Sequence, residues 1–231
     1  MKKRFILFLL VLSLILPVKS AVTEIDIKQA RKNPNIFFAI LASNPSYEIK
    51  KIDKEIAQKK PASPFADGLT HNPNFFITQI DKRVARRNTN TVFAQTITKS
   101  ENYTVEKIDK TITYRHPESF FAEGLGQNPN YVVDEADKDF VKKNPFTEFA
   151  EKLTTNINYK VITEDKEFAR ENIDTSFALG ITQNPQYQIE AEDTEIARNN
   201  LNSKFALGLT QHLSYQVDSV DRNLAKDNID S

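Results

Sequence analysis

Residues 177–204 read FALGITQNPQYQIEAEDTEIARNNLNSK, and residues 205–231 read FALGLTQHLSYQVDSVDRNLAKDNIDS. The second stretch repeats most of the first at an offset of 28 residues. Phenylalanine keeps this spacing without a slip at Phe37, Phe65, Phe93, Phe121, Phe149, Phe177 and Phe205. A fixed period of this length indicates a tandem array in which stacked units bury a continuous core.

Other columns keep the same register. Leu or Ile follows each Phe by four residues, an aromatic residue follows by ten, and Ile or Val stands two residues beyond the aromatic. An Asp comes four residues later, and Ser or Thr precedes the next Phe by two. Residues 22–36 repeat only the second part of this pattern. We therefore predict one repeat-array domain over residues 21–231, with a half unit at 22–36 and units starting at 37, 65, 93, 121, 149, 177 and 205.

The columns predict three elements in each unit. The aromatic-x-Ile/Val step, as in Tyr103 and Val105, has a period of two and is typical of a short strand. The Asp is interpreted as the N-cap of a helix, and the Asn seven residues later as a left-handed helix end. The Ser/Thr column caps a second helix, on which Phe and Leu share a face. Asn-Pro, as at Asn184 and Pro185, ends that helix. The sequence thus predicts an α/β repeat solenoid of about seven and a half units, each with a short parallel strand and two short helices.

An all-α solenoid with two helices in each unit is the alternative, because Asn-Pro is also a helix start signal. The stretch FALGLTQ and the Asn-Pro pairs resemble the variant leucine-rich repeats, which are all-helical. The length of 28 residues and the strict Tyr-x-Val/Ile step depart from that pattern. Closure of eight strands into a ring is a further alternative.

The N-terminus predicts export. Basic residues at 2–4, an apolar run at 5–16 and small residues before a cleavage point after Ser20 indicate a signal peptide over residues 1–20. We therefore expect a secreted or periplasmic protein with no stable membrane span once the signal is removed. The chain has no Cys, which excludes disulfides and thiolate metal sites.

Charge is unevenly distributed along the chain. Residues 22–120 carry 16 Lys and Arg against 11 Asp and Glu, whereas residues 121–231 carry 11 against 20. This asymmetry is compatible with head-to-tail self-association of the array. No segment is basic enough to predict a nucleic-acid partner.

The sequence contains no recognisable catalytic or cofactor motif. The Asp column offers one carboxylate per unit with no Gly-containing loop, so capping is favoured over a cation site. His71, His116 and His212 fall in unrelated columns and are interpreted as loop or cap substitutions. We therefore expect no catalytic, metal-binding or cofactor-binding residues, and the chain is expected to be non-enzymatic.

In a repeat solenoid, the positions that differ between units while neighbouring positions stay constant are expected to bind a partner. The residue between the aromatic and the Ile/Val is such a column, and it is apolar at Phe76 and Val132. Unit two also carries the basic residues Arg83, Arg86 and Arg87. These five residues are the predicted partner contacts. Unit three departs most from the pattern, with Thr96, Ser100 and Glu101 replacing the usual Gly, Asn and Pro and with the stretch Tyr114–Pro117.

The resulting functional hypothesis is an exported scaffold that binds a protein, whose identity the sequence does not reveal. One alternative is a periplasmic ligand-binding protein or enzyme with a site on the strand face. A pocket lined by polar residues that break the repeat would favour it. The other alternative is a self-assembling repeat protein.

Overall fold

The computed structural model of the protein describes residues 23–35 and 41–229. This part of the chain forms fourteen α-helices and contains no strand. They are α1 (Glu24–Lys32), α2 (Lys51–Lys59), α3 (Pro64–Thr70), α4 (Gln79–Arg87), α5 (Val92–Lys99), α6 (Lys107–Arg115), α7 (Phe120–Gly126), α8 (Glu135–Lys143), α9 (Glu148–Thr155), α10 (Thr163–Glu171), α11 (Ser176–Gln183), α12 (Ala191–Asn199), α13 (Lys204–Thr210) and α14 (Ser219–Ile229). The predicted α/β solenoid is wrong, and the all-α repeat solenoid is correct.

Each unit holds two kinds of helix. The A helices contain the Asp column and comprise α1, α2, α4, α6, α8, α10, α12 and α14. The B helices contain the Phe column and comprise α3, α5, α7, α9, α11 and α13. A four-residue extended segment, such as residues 103–106, joins each B helix and its turn to the next A helix.

The extended segments form no sheet within residues 41–229, and at most of them side chains of other units bond the backbone instead. At residues 103–106, Asn128 Nδ2 donates to the carbonyl of Tyr103 at 3.4 Å. Lys82 Nζ donates to the carbonyl of Thr104 at 2.9 Å, and Asp109 Oδ2 accepts from the N–H of Glu106 at 2.8 Å. The alternation predicted for a strand is nevertheless present, because the aromatic side chain points inward and the next residue points outward. Side chains of adjacent units thus replace the ladder of a sheet.

The A helices begin one turn earlier than predicted. Asp81 is the third residue of α4 and forms a capping box with Thr78, the N-cap: Thr78 N donates to Asp81 Oδ2 at 2.8 Å, and Asp81 N donates to Thr78 Oγ1 at 3.3 Å. The N-cap assignment of the Asp column is therefore wrong by three residues. The left-handed helix end is also wrong, since Asn88 has φ −122° and no described non-Gly residue has a positive φ. Asn88 instead donates its amide to the carbonyl of Val84 at 2.8 Å.

The B helices begin as predicted. Ser203 Oγ accepts from Ala206 N at 3.1 Å, and the other Ser and Thr residues of the column cap their helices in the same way. Phe and Leu or Ile on these helices are buried and form the core with the inward-facing tyrosines. The largest fully buried side chains include Phe65, Phe93, Phe121, Phe149, Phe177, Phe205, Tyr103, Tyr131 and Tyr159.

The predicted signal peptide lies outside the described residues. Within the described residues, no helix is long and apolar enough to cross a membrane.

Candidate functional site: the cavity between units two and three

Most junctions between units are closed by a ladder of asparagines. Asn128 Nδ2 donates to the carbonyls of Thr98 and Ser100 in the preceding unit, at 2.6 and 2.9 Å. Asn72, Asn156 and Asn184 make equivalent bonds at their own junctions. In the last described unit His212 takes this position, and its Nε2 lies 3.1 Å from the carbonyl oxygen of Asn184. A side chain of one unit therefore satisfies the end of the preceding B helix.

Glycine lets neighbouring B helices approach closely. A Cβ atom placed on Gly180 would lie 2.1 Å from Thr154 Oγ1 and 2.3 Å from the carbonyl oxygen of Glu151. Gly124 and Gly208 are equally close to the preceding unit. In unit five Lys152 replaces this Gly, and the position it faces in unit four is Gly126 instead of Thr. The two facing positions therefore compensate each other.

The A helices are joined by long side chains that are mostly charged. Lys110 Nζ donates to the carbonyl of Val132 at 2.9 Å and lies 4.8 Å from the centre of the Tyr131 ring. Lys54, Lys82, Lys138 and Lys166 make the same pair of contacts. Arg198 Nε donates to Asp221 Oδ1 at 2.8 Å, and Arg31, Arg86, Tyr114 and Arg170 donate to the Asp of the next unit in the same way. Lys142 Nζ instead forms an ion pair with Asp165 Oδ1 at 2.7 Å.

The junction between units two and three lacks the contacts that close the B-helix side elsewhere. Ser100 replaces the ladder asparagine; its Oγ accepts from Asn102 N at 3.2 Å, but its side chain does not reach unit two. Asn102 does not donate to unit two, whereas Asn130 and its counterparts Asn74, Asn158 and Gln186 bond the preceding unit.

Two further differences distinguish this junction from the others. Thr96 replaces the Gly of the column and faces Thr70, so α5 cannot approach α3 as α11 approaches α9. At five described junctions the N–H of the leading Phe donates to the preceding unit, at 2.8 to 3.1 Å. The corresponding bond from Phe93 to Pro61 is missing.

A cavity of about 590 Å³ opens where these contacts are missing. Its polar walls include Thr70, Asn72, Gln95, Thr96, Ser100 and Glu101, and its apolar walls include Phe75, Ile77, Val92 and Ile97. Three residues that break the repeat, Thr96, Ser100 and Glu101, therefore line one cavity. It combines apolar side chains with a few polar ones, a typical composition for a small-molecule site.

The A-helix side of the same junction is strongly connected. Arg86 Nε donates to Asp109 Oδ1 at 2.7 Å, and Arg86 Nη2 lies 3.0 Å from Glu106 Oε2. Lys82 Nζ lies 3.2 Å from Glu106 Oε1, and its hydrogen bond, together with those of Arg86, lowers the pKa of Glu106. Units two and three are thus held together beside the cavity.

The predicted partner contacts fall into two groups. Phe76 and Val132 are 74% and 75% exposed, and Arg83 and Arg87 also face solvent. Arg86 is instead half-buried in its ion pairs with unit three. The other members of the outward-facing column, Glu48, Thr104, Lys160, Gln188 and Gln216, are exposed as predicted.

The remaining candidates for chemistry have structural roles. His71 and His116 are helix C-caps, which agrees with their interpretation as cap substitutions. His212 occupies the ladder position of its unit. Tyr114 donates to Asp137 Oδ1 at 2.5 Å and so replaces the arginine of other units. The described residues contain no cluster of three or more His, Asp or Glu side chains suited to a metal ion.

Sequence reasoning recognised that unit three departs from the pattern but missed the cavity. Two signals were available: among the described junctions a Thr faces a Thr only at positions 70 and 96, and Ser at position 100 lacks the amide of its counterparts. Their meaning depends on which columns face each other across a junction, which the period alone does not reveal.

The chain matches no protein-family model, no curated protein and no solved structure.

Proposed function

We propose that the protein is a non-enzymatic scaffold that binds a protein partner through the outward-facing column of its extended segments. The observation that supports this is the exposure of Phe76 and Val132, at 74% and 75%, in a column that is polar in the other described units. Exposed apolar side chains gain free energy when a partner buries them, and apolar patches on a protein surface often mark interaction sites.

The surroundings of these residues fit the same role. Val132 borders a groove of about 530 Å³ whose walls include Val105, Lys110 and Tyr114. The ion pairs of Lys110 with Asp134 and Asp137 fix that wall, at 2.7 and 2.6 Å. A rigid array with one variable exposed column presents a preformed surface, which reduces the entropic cost of binding. Arg83 and Arg87 remain in the proposed contact set, and Arg86 is assigned to the junction.

The test is site-specific photo-crosslinking in cells, with a benzophenone amino acid at position 76, 132 or 188. We expect a discrete crosslinked protein from positions 76 and 132. The double variant F76S/V132S should then bind that protein about tenfold or more weakly, as expected for loss of interface anchors. The control Q188S/Q216S changes the same column at polar positions and should bind normally. Undiminished binding by F76S/V132S with a normal melting temperature would refute the proposal.

Export and head-to-tail association are also proposals. Detection of the chain in periplasmic or culture fractions tests the first. Light scattering at low and high salt tests the second, since association driven by the uneven charge should weaken with salt.

A further inference from the structure

We propose that the cavity between units two and three binds a small ligand that carries a primary carboxamide, such as the side-chain amide of glutamine. The ligand amide would take the place that an asparagine side chain occupies at the other junctions. This site goes beyond the proposed scaffold function and is the kind of pocket that the ligand-binding alternative requires. Neither Phe76 nor Val132 lines it.

The cavity is lined by residues whose counterparts at other junctions have their carbonyl oxygens bonded by an asparagine amide. At the junction of units five and six, Asn184 Nδ2 lies 2.6, 3.1 and 3.3 Å from the carbonyl oxygens of Thr154, Asn156 and Tyr159. The corresponding oxygens in unit two belong to Thr70, Asn72 and Phe75, all of which line the cavity.

These oxygens lack the donors that their counterparts have. Among the described residues, the carbonyls of Thr70 and Phe75 accept no protein hydrogen bond outside helices, and that of Asn72 accepts only from Phe75 N, at 2.9 Å. A carboxamide NH₂ group carries two donors, the number needed for the two empty acceptors.

The rest of the cavity suits the remainder of such a ligand. The Ser100 hydroxyl accepts from Asn102 N and retains its own proton, which can be donated to an amide oxygen. Phe75, Ile77 and Val92 provide apolar contact for a short aliphatic stem. The volume of about 590 Å³ exceeds that of one side chain, so a whole amino acid or a short peptide segment fits.

The wall of acceptors also predicts selectivity. A carboxylate has no hydrogen to donate to the carbonyls of Thr70 and Phe75, and the exposed cation of Lys99, which also lines the cavity, does not replace that donor. Glutamate should therefore be rejected although it has the shape of glutamine. Sites built to bond a donor reject isosteric analogues that lack it by large factors, here at least about 100-fold.

The test is an NMR titration of the ¹⁵N-labelled full chain with L-glutamine and L-glutamate. We expect glutamine, and not glutamate, to shift amide signals of residues 70–77 and 95–102. Ac-Ala-Gln-Ala-NHMe and its Glu counterpart form a second pair, and a tighter response to the peptide than to the free amino acid would identify a peptide side chain as the source. Equal shifts from amide and acid, or no shift from either amide, would overturn the proposal.

A variant that supplies the amide from within the chain gives an independent test. Ser100→Asn should restore the ladder, raise the melting temperature and abolish the response to glutamine. Thr104→Asn adds the same amide at an exposed position outside the cavity and should leave the response unchanged. If Ser100→Asn folds and still responds to glutamine as the unmodified chain does, the ligand does not bind in this cavity and the proposal is wrong.

Discussion

Thr154 occupies the space that any side chain on residue 180 would need. A Cβ atom at Gly180 would lie 2.1 Å from Thr154 Oγ1, well inside van der Waals contact. The absence of a side chain in one unit and the presence of a hydroxyl in the preceding unit together set the distance between α9 and α11.

Gly180→Ala should therefore destabilise the protein by about 1–3 kcal/mol, the usual cost of overpacking. This sign is opposite to helix propensity, which favours Ala over Gly by about 1 kcal/mol in a helix interior. Urea denaturation of the single variants and of Thr154→Gly/Gly180→Ala would measure the coupling between the two positions. We expect Thr154→Gly to relieve part of the strain that Gly180→Ala introduces, while the contact with the carbonyl of Glu151 remains. If Gly180→Ala alone stabilised the protein, the steric explanation would be wrong.

Arg86 and Arg83 lie on the same helix, but their substitution by Ala should destabilise the protein by very different amounts. Arg86→Ala removes a partner from the fully buried Asp109 and is expected to cost about 3 kcal/mol, in the range for breaking a buried ion pair. Arg83→Ala changes an exposed side chain and should stay within about 0.5 kcal/mol. The midpoints of thermal unfolding compare the two variants. Equal losses would show that Arg86 does not hold units two and three together.

Thr113→Ala is expected to stabilise the protein. Thr113 is fully buried in a column occupied by Ala57, Ala85, Ala169 and Ala197 in other units, and its hydroxyl makes no hydrogen bond. Removing the unsatisfied hydroxyl should gain about 1 kcal/mol, beyond the helix-propensity gain. Thr111→Ala, on the same helix, removes a hydroxyl bonded to the carbonyl of Lys107 and serves as the control. A melting temperature no higher for Thr113→Ala than for Thr111→Ala would contradict the prediction.

Acid should weaken the junction between units five and six. Hydrogen bonds from Lys166 and then Arg170 lower the pKa of Glu190 from 4.5 to about 2. A lowered folded-state pKa means that its contribution to stability is complete above about pH 4.5 and disappears as the pH falls through about 2. The difference in urea midpoint between the unmodified protein and Glu190→Gln should therefore shrink over this interval. A constant difference would show that the charge of Glu190 does not act on this junction.

The sequence predicts the period, the caps of the B helices and the buried Phe and Tyr columns because these depend on residue type and spacing alone. The strand prediction fails because alternation in Tyr103–Val105 shows only that the backbone is extended. What bonds that backbone depends on Lys82 and Asn128, which come from the units on either side. The cavity beside Ser100 escaped prediction for the same reason, since it arises from a mismatch between two units.

The contacts that are missing at Ser100 also affect how cooperatively the array unfolds. In a linear array each unit is stabilised only by its nearest neighbours. The units on the two sides of the weakest interface are therefore the first to unfold separately. On the A-helix side, units two and three are coupled by the largely buried ion pairs of Lys82 and Arg86, which salt screens only weakly. The protein should thus melt as one cooperative block while these ion pairs are intact, and Arg86→Ala should divide the transition into two blocks of unequal length.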